Sequence, residues 1–199
     1  MDQGKQKRIL VVTPRLPVPP PGACEKDRYY NILQLRDLGY RVTVLAKVSP
    51  TYDLGLAREF EKKEGIRVVT TPYIFMQPRD SFFYLRHLLN WNCEVADYEY
   101  SNLSTQKVFL ELLNEFKPDL IISVHAPYKL VDHDGPISFP NLESPLPVRT
   151  LGAFPGSLGT YAGIERNVPV VTPELPSAKS LPDLKAVEQL FMFIMKSKF

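Results

Sequence analysis

His125 and Glu174 are the two residues of this sequence whose surroundings most favour a chemical role. His125 follows the apolar run Asp119–Val124, and Glu174 lies within Pro-Glu-Leu-Pro after Val168–Thr172. If both runs are parallel strands, both side chains emerge at the carboxyl edge of a sheet, where open α/β sheets bind their ligands. An imidazole can ligate a metal or transfer a proton, and a carboxylate can act as a general base. The competing interpretation is an ordinary loop histidine and a solvated carboxylate.

The apolar pattern predicts the elements that carry these residues. Short runs rich in β-branched residues predict buried strands, and apolar residues at three- and four-residue spacing predict helices. Because strands and helices alternate, we expect a mostly parallel, Rossmann-like sheet with right-handed crossovers in a three-layer α/β/α sandwich. The predicted strands are Arg8–Thr13, Arg41–Ala46, Ile66–Thr70, Asp119–Val124 and Val168–Thr172; the predicted helices are Asp27–Leu38, Leu54–Lys63, Phe82–Leu89, Thr105–Phe116, Ser157–Ile164 and one from Pro182 onward.

Composition narrows the class of protein. The 199 residues are 44% hydrophobic with a net charge of +2, which predicts a globular protein with a core and gives no reason to expect nucleic-acid binding. The first apolar run, Ile9–Val12, is too short for a signal peptide or a membrane span. Cys24 and Cys93 lack the spacing of redox or metal motifs, so we interpret them as free thiols in a cytoplasmic protein.

The N-terminal half resembles the first domain of retaining GT-B glycosyltransferases. The resemblance is carried by Arg8-Ile-Leu-Val-Val-Thr-Pro-Arg-Leu-Pro17, the proline turn Pro19–Gly22, Arg28-Tyr-Tyr-Asn-Ile-Leu33 and Leu38-Gly-Tyr-Arg-Val-Thr-Val-Leu45. It implies a domain that holds the acceptor, while a second domain binds the nucleotide sugar. The family commonly has two adjacent glycines after the prolines, where this chain has Gly22-Ala23-Cys24. The alternative is a proline-stiffened strand-to-helix connection without a ligand.

The C-terminal part resembles zinc carboxypeptidases and murein peptide amidases. Four motifs occur in the order of that family: Lys117-Pro-Asp-Leu-Ile-Ile-Ser-Val-His-Ala-Pro127, Val131-Asp-His-Asp-Gly-Pro136, Phe154-Pro-Gly-Ser-Leu-Gly-Thr-Tyr-Ala-Gly163 and Val168-Pro-Val-Val-Thr-Pro-Glu-Leu-Pro176. Such enzymes hydrolyse a peptide bond with a zinc-bound water, and their zinc has three protein ligands.

This second resemblance assigns roles to particular residues. It implies that His125 is a zinc ligand, that Glu174 is the general base, and that Tyr161 contacts the substrate during catalysis. Gly156 and Ser157 would shape the substrate-binding wall. The implied cofactor is zinc, and the implied substrate is a peptide or a peptidoglycan fragment.

The motif that supplies the other zinc ligands in the family, His-x-x-Glu, is absent. His87 is followed by Leu-Leu-Asn and His133 by Asp-Gly-Pro. Three functions therefore stay open: an incomplete zinc carboxypeptidase or amidase, the acceptor-binding half of a glycosyltransferase, and an α/β module without catalysis. The two resemblances meet near Phe116 and Lys117, which predicts a chimeric chain with a glycosyltransferase-like half at 1–116 and a carboxypeptidase-like half at 117–199, or one continuous domain.

Overall fold

A six-stranded sheet forms the centre of the protein in its computed structural model, which describes residues 6–13, 15–20, 23–72, 103–123, 129–140, 143–152, 157–174 and 184–199. The strands are β1 (Arg8–Thr13), β2 (Arg41–Val48), β3 (Arg67–Pro72), β4 (Leu120–Ser123), β5 (Leu130–Asp134) and β6 (Val170–Glu174). Their order is β3-β2-β1-β4-β6-β5. All neighbours are parallel except β5, which pairs antiparallel with β6.

Helices cover both faces of this sheet. The described α-helices are α1 (Ala23–Asp37), α2 (Leu54–Glu64), α3 (Leu103–Glu115) and α4 (Leu184–Met195), and a π-helix spans Gly159–Glu165. Residues of α1, α2 and α4 share one apolar cluster with β1, while residues of α3 and the π-helix share the cluster on the other face. The predicted α/β/α sandwich with a mostly parallel, Rossmann-like sheet is therefore confirmed.

The centre of the sheet is apolar because its strands are buried on both faces. Ile9 and Leu10 of β1 point to opposite faces, and neither they nor Ile121 and Ile122 of β4 expose any surface. Strands from both halves of the sequence meet here, since Ile9 of β1 pairs with Leu120 of β4. Strands from residues 8–72 and 120–174 thus form one continuous sheet.

Local sequence signals explain where α2 starts and stops. The Asp53 side chain accepts a hydrogen bond from the backbone N–H of Gly55 at 2.8 Å and so caps the first turn. Gly65 adopts φ +68°, and its N–H donates to the carbonyl of Glu61. The left-handed conformation costs glycine little, so the helix is closed by Gly65 as predicted and ends at Glu64, one residue beyond the predicted Lys63.

Three differences from the sequence-based expectation concern irregular or charged segments. The first helix begins at Ala23, four residues earlier than expected. The loop expected up to about Leu151 contains β5, and the helix expected at Ser157–Ile164 is largely a π-helix. The predicted helix Phe82–Leu89 lies outside the described residues, as does Cys93. Within the described part of the chain, no helix is long and apolar enough to cross a membrane.

Candidate functional site at the carboxyl edge of the sheet

Buried polar side chains collect where the parallel strands end. Each described parallel strand has a buried polar side chain at its last or second-to-last residue. Each of these side chains exposes less than a tenth of its surface. Open parallel sheets bind ligands at this edge, beyond the carboxyl ends of their strands. The residues are Thr13 of β1, Lys47 of β2, Thr71 of β3, Ser123 of β4 and Glu174 of β6.

The register sorts these residues onto the two faces. Lys47 pairs with Thr71, and Ser123 pairs with Val12, whose neighbour Thr13 points to the opposite face. On the α3 face, the Thr71 hydroxyl lies 2.9 Å from the hydroxyl of Thr105 in α3. Thr13 is on the α1 face, and its hydroxyl donates to the carbonyl of Arg15 at 3.2 Å.

Glu174 is the last residue of β6 and is 6% exposed. It pairs with Leu130 of β5, and β6 runs parallel to β4 with Ile122 opposite Val171. The carboxylate thus lies at the same edge as the end of β4. His125 follows this strand by two residues in the sequence, but His125 and Gly156 lie outside the described residues.

Tyr161 and Ser157 belong to the π-helix region. The Tyr161 hydroxyl accepts a hydrogen bond from the Arg166 guanidinium at 2.6 Å, and the same guanidinium lies 5.1 Å from the centre of the tyrosine ring. The Ser157 hydroxyl accepts a hydrogen bond from the backbone N–H of Thr160 at 3.1 Å. Both side chains therefore have partners close by in the sequence, and their predicted roles beside Glu174 stay predictions.

The π-helix packs against Asp134 of β5. A Cβ atom added at Gly163 would lie 2.6 Å from the Cβ of Asp134, so only a glycine allows this approach. Asp134 pairs with Val170, the first residue of β6, whereas Glu174 is the last. Burial raises the pKa of the Asp134 carboxyl group, Asp132 raises it further, and the nearby His133 opposes the shift.

A small cavity lies on the α1 face beside the end of β1. Thr13, Arg28 and Asn31 lie around it together with apolar residues of β1, α1 and α4, and the surface that faces the space is apolar. The space inside is about 10 Å³, enough for about one water-sized group. The Nε atom of Arg28 is buried and has no hydrogen-bond partner among the described residues. The sequence analysis includes Arg28 and Asn31 in the run Arg28–Leu33 but assigns neither of them a role. The signal was present, because Arg28 and Asn31 are three residues apart on a helix whose Ile32 and Leu35 are buried.

A wider groove lies at the opposite, amino edge of the sheet. It encloses about 450 Å³ and is lined in part by Lys7, Asp119, Val168 and Phe199. Lys7 donates a hydrogen bond to the carbonyl of Phe199 at 3.1 Å, and its ammonium lies 3.9 Å from the centre of that ring. We assign the candidate site to the carboxyl edge, although the amino-edge groove is larger, because the buried strand-end polar groups are there.

Comparisons with known proteins give partial similarities of fold. No protein-family model matches the chain, and no curated protein matches it. The C-terminal domain of a hydrogenase from Pyrococcus furiosus has 21% sequence identity and a TM-score of 0.37, over 61% of this chain and 76% of that one. A UGT glycosyltransferase from Glycyrrhiza uralensis, complexed with glycyrrhetinic acid 3-O-monoglucuronide, has 17% sequence identity and a TM-score of 0.34. This match covers 60% of this chain and 24% of the glycosyltransferase chain. Similarities this weak carry no argument about function.

Proposed function

We propose that this protein binds a small polar molecule at the carboxyl edge of its sheet, as the acceptor-binding half of a GT-B-like glycosyltransferase does. The observation that carries this proposal is the row of buried polar side chains at the strand ends. Inside the described strands Thr43 of β2 is the one other buried polar side chain, so most of the buried polar groups of the sheet lie at one edge, where a requirement for packing alone does not explain them.

The strand order supports the position of the ligand. The chain moves outward from β1 to β2 and β3 and then returns to β4 on the other side of β1. The strand order therefore reverses between β1 and β4, and α/β sheets bind ligands in the crevice at such a point. Thr13 and Ser123 end these two strands with side chains on opposite faces, and each provides a hydroxyl group suited to a sugar or another polyhydroxylated molecule that lies across the edge. Glycosyl transfer would additionally require a domain that binds the nucleotide sugar, so we propose acceptor binding alone for these residues.

Saturation-transfer NMR with methyl α-D-glucopyranoside and with UDP-glucose tests this proposal. We expect saturation to reach the ring protons of the glycoside, and we expect Thr13→Val to weaken its binding about fivefold, the effect of one net hydrogen bond. Thr43→Val is the matched control, because Thr43 is an equally buried threonine in the interior of β2.

Thr43→Val should leave the affinity for the glycoside within about twofold of the unchanged protein, since no ligand contact is lost. If neither probe receives saturation, or if both variants weaken binding equally, the proposed site is wrong.

A second candidate function is hydrolysis of a peptide bond, as in zinc carboxypeptidases. The observation that favours it is the buried carboxylate of Glu174 beside the end of β4, the strand that precedes His125. In this candidate Glu174 is the general base, and the substrate is a peptide or a peptidoglycan fragment. Among the residues that the structure describes, no group of three or more His, Cys, Asp and Glu side chains is placed to hold a metal ion.

Metal content tests the second candidate. After dialysis against zinc and removal of the excess, the hydrolase hypothesis predicts one zinc per chain by atomic emission, lost in His125→Ala because a ligand is removed. His133→Ala is the control, since His133 lies on β5 with its Nε2 atom 3.3 Å from the Thr150 hydroxyl. A protein that retains no zinc, or loses it equally in both variants, contradicts zinc-dependent hydrolysis at this site.

A further inference from the structure

We propose that the contact between the π-helix and β5 is sensitive to pH. The Asp134 carboxyl group, which lies against Gly159 and Gly163, secures the π-helix while it is neutral and loosens it once it is ionised. This inference goes beyond the proposed function, because it concerns the packing of the π-helix and holds whatever ligand the carboxyl edge binds. Tyr161 belongs to the same π-helix, so the contact also decides how firmly that side chain is held.

Two glycines allow the Asp134 side chain to approach the π-helix this closely. A Cβ atom added at Gly159 would lie 1.9 Å from Oδ2 of Asp134, and one added at Gly163 would lie 2.6 Å from its Cβ. The two positions are four residues apart, about one turn of a π-helix. The Asp134 side chain therefore occupies the space that a side chain at either position would need.

The backbone next to Asp134 is equally close to the π-helix. Gly135 adopts φ +81°, and a Cβ atom added there would lie 2.7 Å from the carbonyl oxygen of Gly163. The end of β5 and the π-helix are thus packed backbone to backbone, and the Asp134 side chain is only partly exposed. Such packing leaves little room for the hydration shell of a charged group.

The Asp134 carboxyl group has no partner that would stabilise its charge. Within the described part of the chain it accepts no hydrogen bond and forms no ion pair. Asp132, on the same face of β5, instead accepts a hydrogen bond from the backbone N–H of Leu151 at 2.8 Å. A half-buried carboxylate without a donor loses hydration that nothing replaces, so the neutral form of Asp134 is favoured.

The charged neighbours that act on Asp134 belong to its own strand. Burial raises the pKa of the Asp134 carboxyl group, the charge of Asp132 raises it further, and His133 opposes the shift. On β6, Glu174 lies at the opposite end from the residue that pairs with Asp134. The other titratable side chains of the elements around β5 are Tyr161 and Glu165 of the π-helix, Arg166 after it, and Glu143 and Arg149 of the segment 143–152. These described residues contribute nothing to the shift of Asp134.

The direction of the pH effect follows from the raised pKa of Asp134. An acid whose pKa is higher in the folded state stabilises that state when it is protonated. For Asp134 this stabilisation is fully present below the ordinary aspartate pKa of about 3.9, and it is lost as the pH rises through the raised value. We therefore expect the π-helix to be held most firmly in acidic solution.

Two NMR measurements on the unchanged protein test this proposal. A titration followed by the carboxyl carbon signal of Asp134 should have its midpoint above about 3.9. Hydrogen exchange then measures the protection of the π-helix amides relative to the amide of Val44, in the centre of β2. Between about pH 4 and pH 7 this relative protection should fall about threefold to tenfold, because one unit of raised pKa is worth a factor of ten.

Two single-site variants assign the effect to Asp134. Asp134→Asn keeps the shape of the side chain but cannot ionise, so the relative protection should stay constant with pH. Glu165→Gln is the matched control, because it removes a carboxyl group from an exposed position of the same π-helix. This control should keep the pH dependence of the unchanged protein. Circular dichroism spectra of both variants check that the fold is kept.

The outcomes decide for or against the role of Asp134. A shifted midpoint together with a pH dependence that only Asp134→Asn removes supports the proposal. A midpoint at or below about 3.9, or a protection that does not change through the midpoint, overturns it. The proposal is also wrong if Asp134→Asn keeps the pH dependence, because another group then causes it. Should Asp134→Asn fail to fold, the two measurements on the unchanged protein still decide.

Discussion

Expressed alone, residues 1–116 are expected to lack a cooperative unfolding transition. Among the described residues the main core cluster contains twenty buried side chains, and eight of them come from the chain after residue 116, including Ile122 of β4 and Phe191 and Ile194 of α4. Burial of one large apolar side chain contributes about 1.5–3 kcal/mol. Their loss therefore exceeds on the order of 10 kcal/mol, which is comparable to the whole stability of a typical domain. Thermal and urea denaturation followed by circular dichroism measures the effect.

Co-expression of 1–116 with 117–199 is the control for this truncation. If the two segments reassemble through the β1–β4 pairing, the mixture should regain a cooperative transition that neither segment shows alone. A sharp transition for 1–116 alone would show that the N-terminal half is an independent domain, and that β4 and α4 add little to its stability.

Gly163→Val is expected to destabilise the protein by about 3 kcal/mol. A Cβ atom at this position would lie 2.6 Å from the Cβ and 2.8 Å from the carbonyl carbon of Asp134. The second atom belongs to the backbone of β5, so relief requires a shift of the strand or of the π-helix. Removing a glycine from a helix normally gains about 0.5–1 kcal/mol, too little to offset the overlap. Urea denaturation of the purified variant measures the change in the free energy of unfolding.

Ile164→Val is the matched control for this substitution. It creates the same residue at the next position of the π-helix, where the side chain is 54% exposed. We expect a change within about 0.5 kcal/mol, which is usual for a surface substitution. Equal losses for the two variants would mean that valine itself disturbs the helix and that the contact with Asp134 is unimportant.

Buried strands were predictable from the sequence because their pattern is local. Arg8–Thr13 is a strand with the predicted bounds, and Arg41–Val48 extends the predicted one by two residues. By contrast, β5 was missed because Leu130–Asp134 has two apolar residues followed by three charged or titratable ones. Such a segment becomes a strand through its pairing with β6, which no local pattern reports.

The position of Glu174 in the fold was predictable from the sequence, whereas its role stays a prediction. The rule that strand ends bind ligands indicated Glu174, and the structure places this residue at the carboxyl edge. Arg28 and Asn31 were assigned no role because a polar residue within a helix is normally assigned to solvent. Asn31 is buried and Arg28 is half-buried, and Phe191 of α4, which is distant in the sequence, lines the same cavity.

The antiparallel strand β5 has a consequence for aggregation. As an edge strand it would offer unpaired backbone groups to a second molecule. The neighbouring segment covers part of this edge, since Val131 donates its N–H to the carbonyl of Pro147 and accepts a hydrogen bond from the N–H of Arg149. Farther along the strand, Asp132, His133 and Asp134 add polar side chains. The sheet is thereby protected on this side against growth by strand addition, so the charged composition that hid β5 in the sequence also helps to keep the protein from self-association.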